Sequence, residues 1–333
     1  MRFPLGLLAI VAAVGLLGFA LASLVPQPEE SGRTPGSPTP DSAPPEAPEP
    51  PVRFVAWGDA GHGNAAQYAA AGAIGRVCAR HGCDFGLSLG DNIYPEGVHG
   101  PDDPQFRAKF EKPFANLTFP VYLVLGNHDV ARPANGSDNG DHQVAYAQRS
   151  EKWRMPARSY SFERGPVAFV AVDMTRFADD ARMGAEANAT LAWLRGEMDN
   201  ASDARWRIVL SHFPLAANGK HGVAGQYGGS DGKGAALREV VEQGACGEAD
   251  LYLAGHDHIL EWAKPRPGCP RTELVVSGAA SEARPLAPRG VDAWFSQGDT
   301  VGFWWFEVRE NVLVGRCYDA EGRMLFQRAL FKL

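Results

Sequence analysis

Side chains that commonly bind metal ions follow five short apolar runs of this sequence. The runs FVAW, FGLSL, VYLVL, WRIVL and LYLA lead into Gly58-Asp59, Gly90-Asp91, Gly126-Asn127-His128-Asp129, Ser211-His212 and Gly255-His256-Asp257-His258. Short apolar runs bounded by turn residues predict buried strands, and ligands of α/β sheets gather beyond the carboxyl ends of the strands. We therefore expect one site that collects these side chains, together with the phenol of Tyr94, three residues after Asp91.

The repetition of this pattern carries more weight than any single copy of it. A Gly-Asp pair after a strand, as at Asp59, is usually a turn, and an isolated Ser-His, as at His212, is equally weak evidence. The Gly-Asn-His-Asp and Gly-His-Asp-His motifs are more specific, because both come directly after apolar runs. A glycine before a ligand also lets the backbone turn sharply and approach an ion closely. Together, the five motifs indicate a functional site.

The residue types indicate which ions this site would bind. Carboxylates, an amide oxygen and imidazoles, without thiolates, suit zinc, manganese and iron. At least seven such side chains follow the apolar runs, which is too many for one tetrahedral centre. They suit two ions about 3.5–4 Å apart that share a carboxylate and a hydroxide.

The elements that would position these side chains can be predicted from the hydrophobic pattern. Helix-like stretches occur at 65–80, 104–115, 185–200 and 234–242, with short apolar runs between them. The C-terminal segment from 291 onward instead predicts successive hairpin strands, with turn signals at Glu310-Asn311 and Glu321-Gly322. Alternating strands and helices followed by strands alone favour two sheets between helices, in one domain over 52–333.

The N-terminal segment, 1–25, is predicted to be a targeting element. Arg2 precedes an apolar run over 5–25, and about 20 apolar residues can span a bilayer as a helix. The run is long enough for a signal anchor, whereas Ala20-Leu21-Ala22 offers a cleavage site for a signal peptide, so both interpretations stay open. Either one predicts an extracytoplasmic domain that is secreted, periplasmic or tethered to the outer side of a membrane.

A Pro-rich, acidic segment at 26–51 separates the targeting element from the domain, and we expect it to be an extended, disordered linker. The chain has 333 residues and a net charge of −7, which argues against a broad nucleic-acid-binding face. Its single long apolar run excludes a polytopic membrane protein. Five cysteines are too few for a disulfide scaffold, and their odd number leaves at least one thiol unpaired unless it pairs between chains.

The sequence resembles the metallophosphoesterase superfamily, and within it the purple acid phosphatases, in particular the small tartrate-resistant acid phosphatases. The motifs GDAG, GDNIYPEGV, GNHD, VAVD, LSHFPL and AGHDHIL follow one another in family order over 52–280. Most of the superfamily begins with Asp-x-His, whereas Asp59 is followed by Ala60 and Gly61. Purple acid phosphatases share this change and use a tyrosine that matches Tyr94. His62 lies one place too far along for the Asp-x-His pattern, so we expect it to be a loop residue.

The resemblance implies a four-layer α/β/β/α sandwich, with two mixed sheets flanked by helices, and two sets of metal ligands. The first set would be Asp59, Asp91, Tyr94 and His258. The second would share Asp91 and add Asn127, His212 and His256. In the family the first ion is ferric, and the second is ferrous iron, zinc or manganese. A phenolate is a hard anionic donor, which agrees with a ferric ion at the first site.

The resemblance also implies an acid phosphatase, which hydrolyses small phosphate monoesters by attack of a metal-bound hydroxide. His128 and His221 match family histidines that contact the phosphate and assist the leaving group. Asp129 and Asp257 would orient imidazoles, whereas Asp173 could do the same or cap a strand. We expect a monomer that meets a membrane only through its N-terminal segment.

Two alternatives remain open at this point. The same metal core could hydrolyse phosphodiesters or nucleotides, because enzymes of one fold differ in their loops. The chain could instead be a non-catalytic metal-binding surface domain on a Pro-rich stalk. The complete ligand set argues against this second alternative.

Overall fold

The computed structural model describes residues 50–130, 138–287 and 289–332. The predicted targeting segment, 1–25, and nearly all of the linker, 26–51, lie outside the described residues, so both stay predictions. Within the described ranges, no helix combines the length and the hydropathy that crossing a membrane requires. The first strand begins at Val52, where the predicted domain begins.

The part of the chain that the structure describes contains fourteen strands and four α-helices. In chain order they are β1 (Val52–Trp57), α1 (Ala65–His81), β2 (Phe85–Ser88), β3 (Val121–Leu123), α2 (Gly140–Tyr146), β4 (Trp153–Arg154), β5 (Tyr160–Arg164), β6 (Val167–Ala171), α3 (Ala185–Asn200), β7 (Trp206–Leu210), α4 (Ala235–Gly244), β8 (Leu251–Ala254), β9 (Leu260–Ala263), β10 (Glu273–Ser277), β11 (Ala293–Gln297), β12 (Gly302–Arg309), β13 (Val312–Asp319) and β14 (Met324–Phe331).

These strands form two mixed sheets of seven strands each. The first has the order β14-β13-β12-β1-β2-β3-β4 and is parallel from β1 to β4. Its other half is antiparallel: β12 pairs with β1, β13 pairs with β12 and β14 pairs with β13, so the two C-terminal hairpins complete the sheet. The second has the order β11-β9-β10-β8-β7-β6-β5, with β6, β7, β8 and β10 parallel. The parallel strands include all five that precede the predicted ligands.

The two sheets pack face to face through aromatic side chains. Phe54 of β1 meets Phe169 of β6 edge-on, with ring centroids 5.3 Å apart, and Trp262 of β9 meets Trp304 of β12 at the same distance. Helix α1 buries Ile74 in this core, whereas α3 and α4 pack against the second sheet in a separate cluster of buried residues. Both faces of the central strands are covered, which explains their almost wholly apolar sequences. The predicted four-layer α/β/β/α sandwich is therefore confirmed.

Three of the four predicted helices are confirmed as α1, α3 and α4, and the fourth is shorter and less regular than predicted. The stretch 104–115 is helical only over 105–111. Most of this part is a π-helical turn, Arg107–Glu111, in which the Lys112 N–H donates to the Arg107 carbonyl at 3.0 Å. Pro113 has no N–H and cannot continue a helix, so this segment ends early. Helix α2 was not predicted, because seven residues are too few to show a helical period.

The C-terminal hairpins and the cysteines agree with the sequence. The turns at Glu310-Asn311 and Glu321-Gly322 connect β12 to β13 and β13 to β14, as predicted. Two disulfides, Cys78–Cys83 and Cys246–Cys269, leave Cys317 buried and unpaired. The sequence alone did not assign these pairs, because the pairing depends on which segments the fold brings together.

Candidate metal centre

The predicted ligands meet at the edge where the carboxyl ends of the parallel strands lie. The first sheet contributes Asp59 after β1, Asp91 after β2 and Asn127 after β3, and Tyr94 follows in the loop after β2. The second sheet contributes His212 after β7, with His256 and His258 after β8. Ligand atoms of Asp59, Asp91 and His212 all lie within 4.8 Å of one another. The site is therefore shared between the two sheets.

Three of these residues adopt a left-handed backbone conformation. Asp59 has φ 58°, Asp91 has φ 53° and His256 has φ 66°. This region is uncommon for residues other than glycine, and each instance costs about 1–3 kcal/mol. The left-handed conformation lets a backbone amide face a carboxylate: the His256 N–H donates to Asp59 Oδ2 at 2.9 Å. Strain of this kind is concentrated at functional sites, so the conformation supports a functional role.

Two of the glycines before the ligands are required by close approach. A Cβ on Gly126 would lie 2.2 Å from Asp91 Oδ1, and a Cβ on Gly255 would lie 2.6 Å from Asp59 Oδ2. Both distances are far below van der Waals contact, so any larger residue would displace a carboxylate of the site. The glycines therefore keep open the space in which the two aspartates sit.

Tyr94 lies at the centre of the first predicted ligand set. Its hydroxyl donates to Asp91 Oδ2 at 3.0 Å and lies 3.2 Å from both Asp59 Oδ1 and His258 Nε2. His258 Nε2 is also 3.4 Å from Asp59 Oδ1. Burial raises the pKa of Tyr94 well above its usual value, and the two neighbouring carboxylates raise it further. Buried, closely spaced oxygen and nitrogen donors of this type fit a cation, which would replace these hydrogen bonds.

The second predicted set surrounds His212. Its Nε2 is 3.1 Å from Asn127 Oδ1, 3.4 Å from Asp91 Oδ2 and 3.2 Å from His256 Nδ1. Its Nδ1 lies 2.8 Å from the Leu89 carbonyl, which holds the N–H on Nδ1 and turns Nε2 toward the site. This orientation is the one a metal ligand needs.

The charges of this half also fit a cation site. Burial opposes protonation of His212, but the Asp91 carboxylate outweighs it and raises the pKa of His212 to about 9. Burial lowers the pKa of His256 well below its usual value, and His212 and His221 lower it further. Without a bound ion, a proton between His212 and Asp91 thus offsets negative charge of the Asp91 carboxylate that an ion would otherwise neutralise. Metal binding would compete with this proton.

Asp129 and Asp257, which were expected to orient imidazoles, contact other groups, and Asp173, for which two roles were left open, caps a strand. Asp129 accepts from the backbone amides of Gly126, Asn92 and Ile93 at 2.8–3.1 Å, so it ties together the loops after β2 and β3. Asp257 accepts from the amides of His221 and Gly222, at 2.7 and 3.0 Å. Asp173 binds Arg158 at 2.6 Å and Thr175 at the end of β6, which agrees with the expected strand cap. The expectation that Asp129 and Asp257 orient imidazoles is wrong, because neither carboxylate makes a hydrogen bond to an imidazole nitrogen among the described residues.

The two candidate acid histidines pack against different halves of the ligand cluster, His128 against Tyr94 and His221 against His256. His128 donates its backbone N–H to Asp91 Oδ1 at 2.9 Å, and its Nδ1 is 2.6 Å from the Pro95 carbonyl. It lines a cavity of about 360 Å³ together with Tyr94, Lys109 and Arg284. His221 lies 4.0 Å from the His256 ring.

His221 lines a second cavity, of about 390 Å³, together with Asn127 and Phe213. Burial lowers the pKa of His221 to about 4, and the positive charge of Lys220 is the next largest cause. Each cavity is therefore lined by one of the two candidate acid histidines. A substituent of a bound ester could lie in either cavity, beside either half of the ligand cluster.

Two residues near the first ligand set were not predicted. His62 lies in a loop, as expected, but its ring stacks on Tyr94 with centroids 3.9 Å apart, and its Nδ1 is 2.7 Å from Ser281 Oγ. Glu282 lies 3.5 Å from His258 Nδ1. The position of His62 three residues after Asp59 was a signal that could have been used. No motif marks Glu282, which lies five residues after β10.

Comparison with known proteins agrees with this geometry. The sequence model of calcineurin-like phosphoesterases matches residues 52–260. Purple acid phosphatase 7 of Arabidopsis thaliana is 27% identical over 304 residues, which cover 84% of this chain and 86% of the relative. Tartrate-resistant acid phosphatase type 5 of Sus scrofa is 26% identical over 318 residues, which cover 85% of this chain and 88% of the relative.

Solved structures show the same fold at lower sequence identity. GAP50, described as the anchor in the inner membrane complex of Plasmodium, has a TM-score of 0.69 and 20% identity, and the match covers 85% of this chain and 89% of that one. Purple acid phosphatase PPD1 from yellow lupin seeds has a TM-score of 0.64 and 17% identity, over 85% of this chain and 54% of that one. At these identities the likeness supports the fold alone.

Proposed function

This chain belongs to the calcineurin-like phosphoesterase family and is a phosphate-ester hydrolase, and we propose that it hydrolyses small phosphate monoesters at two metal ions held between its sheets. One observation carries the proposal: seven side chains of metal-ligand type, from the ends of five strands, face one another across a few ångströms. Such a cluster would be costly to bury without cations, because its carboxylates would repel one another.

We assign the ions to the two halves of the cluster. Asp59, Asp91, Tyr94 and His258 would hold a ferric ion, because the phenol lies between two carboxylates. Asp91, Asn127, His212 and His256 would hold ferrous iron, zinc or manganese, since this half offers imidazoles and one amide oxygen. When bound, the ions would activate water and neutralise charge on the phosphoryl group.

The remaining chemistry falls to the protein's own histidines. The Pro95 carbonyl lies 2.6 Å from Nδ1 of His128 and would accept a hydrogen bond from it, so Nε2 is the ring nitrogen that could give a proton to a leaving alkoxide. A positioned acid of this kind contributes about 10²–10⁴-fold to a rate. His221, whose backbone Asp257 fixes, would contact the ester from the other cavity.

Substrate class is the first test of this proposal. We expect nitrophenyl phosphate to be hydrolysed with a higher kcat/KM than bis-nitrophenyl phosphate, and we expect a chelator to abolish both activities. The dianionic monoester leaves three phosphoryl oxygens free to interact with positive charge, whereas the diester leaves two. Readdition of iron and zinc should restore turnover.

One observation favours the alternative activity, because the two cavities could each accept one substituent of a diester. A higher kcat/KM for the diester would therefore replace our proposal with a phosphodiesterase. Binding of metal without hydrolysis of either ester would indicate the non-catalytic surface domain.

Tyr94 provides a test of the metal assignment that does not depend on turnover. A tyrosinate bound to ferric iron absorbs visible light by charge transfer, so Tyr94→Phe should remove the visible band and weaken retention of iron. Tyr146→Phe is the matched control, because the Tyr146 hydroxyl also donates to a carboxylate, that of Glu111, away from the site. A visible band that survives in Tyr94→Phe, or a colourless wild type that binds zinc alone, would reject a ferric site at Tyr94.

We also propose that the domain lies outside the cytoplasm. Its two disulfides, Cys78–Cys83 and Cys246–Cys269, are typical of oxidising compartments. The predicted targeting segment at 1–25 leads to the same location. The relevant measurement is fractionation of the full-length chain, and recovery in the cytoplasm with reduced cysteines would contradict it.

A further inference from the structure

One ring nitrogen of His258 has no assigned role in the site. Its Nε2 faces the cluster, 3.2 Å from the Tyr94 hydroxyl and 3.4 Å from Asp59 Oδ1. Its Nδ1 is buried and makes no hydrogen bond within 3.5 Å among the described residues. The Oε2 atom of Glu282 lies at the limit of that distance, 3.5 Å from Nδ1. A buried ring nitrogen without a close partner is costly, so this contact needs an explanation.

Nδ1 of His258 needs a hydrogen-bond acceptor because of the direction in which the ring points. An imidazole that binds an ion through Nε2 must carry its hydrogen on Nδ1, and that N–H needs an acceptor. His212 satisfies this requirement with a backbone carbonyl, that of Leu89 at 2.8 Å. At His258, the Glu282 carboxylate occupies the corresponding position. The two halves of the site therefore use acceptors of different charge.

The Glu282 carboxylate is itself held in place at the rim of the site. Arg284 Nε donates to its other oxygen, Oε1, at 3.0 Å. His62, which stacks on Tyr94, has its Nε2 4.0 Å from Oε2. The side chain is 40% exposed, so it can adjust by a few tenths of an ångström without disturbing the core. The sequence pattern predicted no residue for the position beside His258 Nδ1.

We propose that Glu282 is a positioning residue that orients His258 by accepting a hydrogen bond from Nδ1. This proposal rests on the proposed function, because it assumes that His258 binds an ion. A carboxylate acceptor strengthens the donor power of an imidazole, and such outer partners are typically worth 10–100-fold in metal affinity. The negative charge also favours the more highly charged ion, so Glu282 would help the first half of the site to hold ferric iron.

The test compares Glu282→Ala and Glu282→Gln with the wild type as full-length, iron-loaded proteins. Each protein is dialysed against increasing concentrations of a chelator, and retained iron is measured by elemental analysis and by the visible band. We expect Glu282→Ala to lose iron at about 10–100-fold lower chelator concentration. Glu282→Gln should lie between the two, because an amide oxygen still accepts a hydrogen bond but carries no charge.

Glu248→Ala is the matched control, because Glu248 is also exposed and pairs with an arginine, Arg207, at 3.1 Å. It should retain iron like the wild type, and circular dichroism should show all four proteins folded. Equal iron retention in Glu282→Ala and the wild type would overturn the role of Glu282 while leaving the proposed function intact. Equal losses in the Glu282 and Glu248 variants would also overturn it. A wild type that takes up no metal would overturn the proposed function itself.

Discussion

Replacement of Asp91 by asparagine is expected to remove metal from both halves of the site and to lower kcat by more than about 10³-fold. Asp91 is almost wholly buried, and its Oδ2 lies 3.0 Å from the Tyr94 hydroxyl and 3.4 Å from His212 Nε2. It is the only side chain proposed for both ions. Loss of one electrostatic group at a reacting centre costs about 10²–10³-fold, and this change would also remove the ions that activate water.

The Asp91→Asn experiment needs metal analysis as well as kinetics. Asp84→Asn is a suitable control, because Asp84 is exposed and accepts a backbone hydrogen bond from Arg53 just before the same strand, β2. The control should keep both ions and the wild-type rate with nitrophenyl phosphate. An Asp91→Asn protein that retains two ions per chain would show that Asp91 does not bridge them.

Replacement of His128 by alanine should leave both ions in place and lower kcat by about 10²–10⁴-fold. The side chain faces the cavity beside Tyr94, whereas the backbone N–H that binds Asp91 survives the substitution. The loss should be smaller for nitrophenyl phosphate than for an alkyl phosphate, because a nitrophenolate leaves without a proton. The measurement is kcat for both esters, with metal content determined on the same samples.

His99→Ala serves as the control for this change. His99 is exposed in the loop between Tyr94 and the π-helical turn, and among the described residues only its backbone makes a hydrogen bond, to Asp103. Equal losses on the aryl and alkyl esters in His128→Ala would exclude the acid role and leave phosphate binding. Loss of metal would instead place His128 among the ligands.

The fold could be predicted from the sequence wherever burial imposed a clear pattern. Strands such as β1 and β8 are covered on both faces, so their sequences are short apolar runs that end in turn residues. The segment 104–115 shows the opposite case: its composition favours a helix, but Pro113 removes the backbone donor that a helix would need. Helix α2 escaped prediction because its seven residues include a glycine, an aspartate, a histidine and a glutamine.

The pattern of the sequence predicted the candidate site mainly where a side chain follows a strand closely, whereas His221, eleven residues after β7, was expected only from the family resemblance. The structure brings Asp59, Asp91 and the strand-end histidines together because the edges of the two sheets meet there. Whether these groups bind the proposed ions is what the Asp91 and Tyr94 variants measure. Glu282 could not be predicted, since its position depends on how the loop after β10 packs against His258. The same reason applies to Asp129, whose partners are backbone amides of two neighbouring loops.

The order of the strands also constrains when the site can form during synthesis. β1, which positions Asp59, lies between β2 and β12, so one of its two neighbours is more than two hundred residues away in the chain. The last proposed ligand, His258, is added well before β12. A growing chain thus carries every ligand before the sheet that aligns them is complete, and pairings of this separation form slowly. We therefore expect metal uptake to be a late event, which follows release of the C-terminal hairpins rather than the appearance of the ligands themselves.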